Sequence, residues 1–182
     1  MSRPNKIIGY ICITAIACSL PLLAASAQDS TLSDSKVQQI KDQCLSIKAT
    51  LNQLHSSDAL LRVNRGQIYE SMLTKLMDKF NTRLISNKYD ADNLKNIASE
   101  YSTMLDTFRL DYQAYEEQLA TTMDIDCSSK PVKFYDSVLS ARTKRSLVHA
   151  DVIKLNAQLA KYQEALDVFS SSFNTNNSEA KQ

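Results

Sequence analysis

The sequence predicts an all-α protein: an elongated, antiparallel up-down-up three-helix bundle with coiled-coil-like seams and one disulfide at one end. Three observations carry this expectation. Beyond residue 27 the 182-residue chain has one glycine, Gly66, and one proline, Pro131, so strong helix breakers almost vanish. Apolar residues there recur at alternating spacings of three and four, the period that keeps one helix face against a partner over many turns. The same stretch holds two cysteines, Cys44 and Cys127, enough for a single bridge.

Residues 1–27 read as a secretory signal peptide. Arg3 and Lys6 form a short positive region, and an apolar run extends from Ile7 to Leu23. Ala25-Ser26-Ala27 places small residues where a signal peptidase needs them, with cleavage expected before Gln28. Pro21 stops the leader helix and leaves that site extended. Two rival readings stay open. The apolar run is nearly long enough to remain as an N-terminal membrane anchor. Cys18, after Ala15-Ile16-Ala17, is a candidate acylated cysteine, although leucine is missing three residues before it. No later stretch approaches 18 apolar residues, so the body is not expected to cross a membrane. A leader followed by a helical, cysteine-poor body points to a bacterial exported protein in an extracytoplasmic space.

Residues 28–35 form a polar lead-in rich in helix-capping residues. The bundle domain is placed at 28–173. Its first helix carries Val37, Ile40, Cys44, Ile47, Leu51, Leu54 and Leu61, interrupted only by Asp58 at a seam position. His55-Ser56-Ser57-Asp58 is its weakest point, where a kink is expected. The seam resumes with Ile68, Met72, Leu76, Phe80 and Leu84. Asn87-Lys88-Tyr89-Asp90 reads as the turn, with Asn87 in the left-handed conformation and Asp90 capping the next helix. The second helix carries Leu94, Ile97, Tyr101, Leu105, Phe108, Tyr112, Tyr115 and Leu119. Its aromatic stripe reads as core rather than as a binding platform. A connection at 123–130 contains Cys127, and Pro131 opens the third helix, where its missing N–H costs little. That helix carries Tyr135, Val138, Val148, Val152, Leu155, Leu159, Tyr162, Leu166, Phe169 and Phe173. Residues 174–182 read as a polar, disordered tail.

The cysteines test this topology. A hairpin centred near residues 88–89 pairs positions whose numbers sum to about 177 and brings Cys127 within two turns of Cys44. In an exported chain, two thiols favour a disulfide over a metal site. A bridge closing more than 80 residues is worth roughly 4 kcal/mol by loop-closure entropy.

Chemistry is harder to find. Without Arg3 and Lys6 there are 19 basic and 20 acidic residues, a net charge of −1, so nucleic acid and anionic lipid are not expected partners. His55 and His149 lack neighbouring ligands at metal spacing, and Asp124-Ile125-Asp126-Cys127 lacks the spacing and glycine of a calcium loop. No phosphate loop, nucleophile elbow or HExxH occurs, so no cofactor and no enzyme activity are expected. Gly66, inside a helix, suggests a close approach by a neighbour. Arg62, Arg65, Arg109, Asp111, Arg142 and His149 fall at similar heights in the hairpin register, with Arg65 opposite Tyr112 and His149 near Arg62. They read either as register-fixing ion pairs or as a pocket for an anionic ligand.

Leu61-Arg-Val-Asn-Arg-Gly-Gln-Ile-Tyr-Glu70, Ile125-Asp-Cys127, Pro131-Val-Lys-Phe-Tyr135 and Ala141-Arg-Thr-Lys-Arg145 resemble a group of exported helical proteins of small-genome candidate-phylum bacteria of the Saccharibacteria type. The resemblance covers nearly all of the chain after the leader and implies compartment and fold, with no assigned activity. A more distant likeness is to the periplasmic Skp-type holdase. That family is strongly basic and trimerises through a small β-structure, and this chain has neither feature. The functional expectation is therefore a non-enzymatic cell-envelope interaction or structural protein, acting on a protein partner or by self-association. A holdase-type chaperone and a small anionic-ligand sensor using the arginine belt are the alternatives. Membrane contact is expected only through an uncleaved N-terminal segment.

Overall fold

A computed structural model describes residues 32–179, which places the expected leader outside the described residues. The described chain is all helical: α1 (Asp34–Asp42), α2 (Cys44–Ser71), a π-helical segment (Met72–Met77), α3 (Asp78–Ser86), α4 (Asp92–Asp124) and α5 (Pro131–Glu179). No strand occurs among these residues, and no helix is long and apolar enough to cross a membrane. α5 reaches Glu179, so its last turns occupy residues that composition assigned to a tail.

The ends of the elements follow local chemistry. Ser33 opens α1 by accepting the Lys36 N–H on its hydroxyl. Asn87 was expected in the left-handed region; instead Lys88 takes it, at φ 61°, while Asn87 stays at φ −95° and donates its side-chain amide to the Arg83 carbonyl. That side-chain bond gives Asn87 a use that does not need a left-handed backbone. The Asp90 carboxylate accepts the Asp92 N–H. At the second connection Asp126 organises the turn, accepting from the Ser128 N–H and the Ser129 hydroxyl, and Pro131 begins α5.

The expected kink at His55–Asp58 is not present. α2 runs unbroken through it, and the irregularities fall at Gln43 and at Met72–Met77. Tyrosine hydroxyls bracket the π segment. Tyr101 donates to the Tyr69 carbonyl at 3.2 Å, and Tyr162 approaches the Met77 carbonyl at 3.5 Å while donating to Asn81 Oδ1 at 2.8 Å. Side chains that engage the backbone acceptor ladder are a recognised cause of such departures from α geometry.

The first helix's inward face departs from the expected seam already within α2, where a straight helix drifts off a strict heptad pattern. Ile40, Cys44 and Asp58 are buried as the seam requires, but Leu61, Ile68 and Leu76 face outward, and Tyr69, Met77 and Asn81 lie inside. In α5 the buried aromatic near the start is Phe134 rather than Tyr135. On α4 the seam holds: Leu94, Tyr101, Leu105, Phe108, Tyr112, Tyr115 and Leu119 are all buried, the aromatic stripe among them.

Packing is strongest between α4 and α5. Cys44 and Cys127 form the disulfide, with Cα atoms 5.5 Å apart, inside a cluster with Ile40 and Phe134. Contacts that join the first helical stretch to α4 and the loop after it include Cys44–Cys127, His55–Glu116, Asp58–Tyr115, Arg62–Tyr112, Tyr69–Tyr101, Tyr69–Phe108 and Glu70–Arg109. Partner numbers fall as residue numbers rise, with sums from 170 to 179 that bracket the 177 expected for the hairpin. Contacts with α5 run the other way, Asp58 with Arg145 and Asn81 with Tyr162.

Candidate functional site

The densest polar arrangement lies between the disulfide cluster and the large apolar cluster around Tyr101 and Leu155. It starts from Asp58, a residue at a seam position that ought to be apolar. α2 carries it inward, and its side chain is 10 % exposed. Such a carboxylate is costly to bury unless it is bonded and paired. Arg145 of α5 supplies both, donating Nε to Oδ2 at 2.7 Å and Nη2 to Oδ1 at 3.1 Å, and the Tyr115 hydroxyl of α4 donates to Oδ2 at 2.8 Å. Burial alone raises the Asp58 pKa. The bonds from Arg145 and Tyr115 and the charges of Arg145 and His55 outweigh it and hold the carboxyl below its ordinary value. The same environment pushes Tyr115 up, first by burial and then by its bond to Asp58.

One turn away, His55 Nε2 lies 2.9 Å from Glu116 Oε2, and the Tyr112 hydroxyl donates to Glu116 Oε1 at 2.6 Å. The Arg62 guanidinium covers the Tyr112 ring, 4.8 Å from its centroid. The layer therefore ties α2, α4 and α5 together, and its acceptors are occupied by the chain's own donors.

The expected belt is only partly gathered. Arg62, rather than Arg65, faces Tyr112. Arg109 pairs with Glu70 and with Asp106. Arg65, Arg142 and His149 are exposed, and no side-chain hydrogen bond or ion pair involves them among the described residues. Asp111 meets Asp151 of α5. Burial and that second carboxyl raise the Asp111 pKa, while Lys154 holds Asp151 Oδ1 at 2.9 Å and Asp151 Oδ2 accepts no hydrogen bond. Gly66 has no close neighbour: a Cβ added there would meet nothing within 4 Å. The expected close approach is absent because α2 lies open on that side.

Asp58 and Asp151 were missed as interior polar groups, and Arg145 as the half-exposed partner of Asp58. The signal for Asp58 was present, since an aspartate in an otherwise unbroken apolar seam needs a buried partner. Nothing local in Ala141–Arg145 distinguishes Arg145 from Arg142.

No group of three histidine, cysteine, aspartate or glutamate side chains that could hold a metal ion occurs among the described residues. No protein-family model, curated protein or solved structure matches this chain. Fold and site thus define the class directly: an all-helical protein with a Cys44–Cys127 disulfide and a self-paired polar layer.

Proposed function

We propose that this chain is an exported, non-enzymatic protein of the cell envelope, built as an elongated up-down-up three-helix bundle, that presents a helix face to a protein partner or to a second copy of itself. One observation carries the reading. Six consecutive residues of α2, Leu60 to Arg65, are all exposed, and the apolar Leu60, Leu61, Val63 and nearby Ile68 lie on this uncovered stretch. Leu60 is 69 % exposed and Ile68 52 %. Apolar side chains gathered in this way mark interaction surfaces more often than scattered ones do. The polar layer supports the same reading, because Arg145, Tyr115, His55 and Glu116 already satisfy one another instead of aiming at a ligand. Export is supported by the Arg3–Lys6 start, the Ile7–Leu23 apolar run, the Ala25-Ser26-Ala27 motif and a disulfide suited to an oxidising compartment.

Cross-linking intact cells before lysis, followed by affinity capture of the tagged chain, tests this. One dominant partner, or the chain itself, is the expected product in the extracytoplasmic fraction. A broad set of unfolded proteins, with suppression of client aggregation by the purified chain, favours a holdase instead. Recovery only in the cytoplasm with both cysteines reduced contradicts the reading.

A further inference from the structure

The geometry points to a binding site for a long-chain carboxylate in the groove between the π segment with α3 and the middle of α5: the acyl chain lies on the apolar floor and the head faces a basic rim. The groove holds about 340 Å³, within the range of small-molecule sites. Its floor is built from Leu76, Phe80, Leu159 and Leu166, with Met72 and Met77 supplying adaptable thioethers. Its rim carries Lys75, Lys79 and Arg83, each four residues after the last. That spacing places the three cations on one side of the helix in steps of about 6 Å. No acidic residue lines the groove, and none of the three makes an ion pair among the described residues. Asp78 stands beside Lys79 and Arg83 but does not line the groove, so a head group bound there meets the three cations and no carboxylate. The π segment helps to form the recess, where Leu76 sits 57 % exposed beside buried Met77. Single-turn π insertions recur at functional sites.

The basic rim and the apolar floor together select the occupant of the groove. A single acyl chain fits within it, and a carboxylate suits both lysine and arginine donors. The site is distinct from the Asp58 layer and from the exposed Leu60–Arg65 stretch. Its failure leaves the interaction reading standing, and its success does not require that reading.

Calorimetric titration of the full chain with sodium dodecanoate below its micelle concentration, and in parallel with dodecanol, tests the site. The expected result is one saturable dodecanoate site, with dodecanol about tenfold weaker or worse for want of the charged hydrogen bonds. Lys75→Gln/Lys79→Gln/Arg83→Gln weakens dodecanoate about tenfold and leaves dodecanol unchanged, whereas Lys75→Arg/Lys79→Arg keeps wild-type affinity. Any apolar binding by residues 1–27 is common to all these proteins and cancels in the comparison. The absence of saturable binding, equal binding of acid and alcohol, or unchanged binding by a folded triple Gln variant overturns the proposal. Should the triple variant not fold, the acid–alcohol comparison and the Lys→Arg variant decide on their own. Binding of anionic vesicles or self-association through these residues, without dodecanoate binding, also overturns it.

Discussion

Asp58 shows how one side chain dictates the behaviour of its surroundings. A carboxylate that is 10 % exposed survives there because Arg145, half exposed at 50 %, reaches it with two hydrogen bonds. Arg145→Met keeps the aliphatic stem but leaves Tyr115 as the only side-chain hydrogen-bond donor to the Asp58 carboxylate among the described residues. We expect a loss of about 1–2 kcal/mol at pH 7, below the range for fully buried pairs because Arg145 is solvated. The pH dependence has a definite sign. Asp58 has a folded-state pKa below its unfolded one, so its stabilisation is present above the ordinary carboxylate range and is lost as pH falls through the lowered value. In Arg145→Met that acid limb moves to higher pH, which denaturation curves collected from pH 2 to 7 will reveal. Asp111 behaves in the opposite sense. Its raised pKa gives stability below the unfolded value that is lost as pH rises through the folded one. Asp111→Asn removes the repulsion between the two carboxylates, so it should be more stable at pH 7, with a flatter profile. Gly66→Ala, with open space around the new methyl, should add about 0.5–1 kcal/mol by urea unfolding.

At the scale of elements, α4 was the most legible. Its seam residues alternate regularly, it packs on α5 along its length, and every seam residue from Tyr101 to Leu119 is buried. The first helical stretch was legible at Met72, Phe80 and Leu84, which face the core, and from Ile40 to Asp58. Beyond it the pattern through Leu61, Ile68 and Leu76 is as regular as the one through Ile40 and Cys44, yet these three face solvent. Periodicity identifies an apolar stripe but cannot say whether a neighbour covers it. The π segment was invisible for a related reason: its anchors are Tyr101 and Tyr162, far away in the sequence. The disulfide was legible because only one pairing remained after the leader was set aside. It closes a loop across a separation of 83 residues, so Cys44→Ser/Cys127→Ser should lose roughly 4 kcal/mol in a denaturant titration run beside the oxidised parent.

For the whole molecule, the polar layer was half legible. The sequence placed arginines, tyrosines and Asp111 at one height, but Arg65 was matched where Arg62 stands, and Arg145 was not singled out as the partner of Asp58. Register depends on which side chains interlock across elements, and no local pattern encodes that. The uncovered α2 stretch is the surface that the proposed function assigns to a partner. The most direct measurement places a photo-crosslinking amino acid at Leu61 or Ile68, with exposed Thr107 of α4 as control, and irradiates intact cells. The account predicts one discrete adduct from each of the two α2 positions and little from Thr107. Adducts at none of them, or equally at all three, would contradict it.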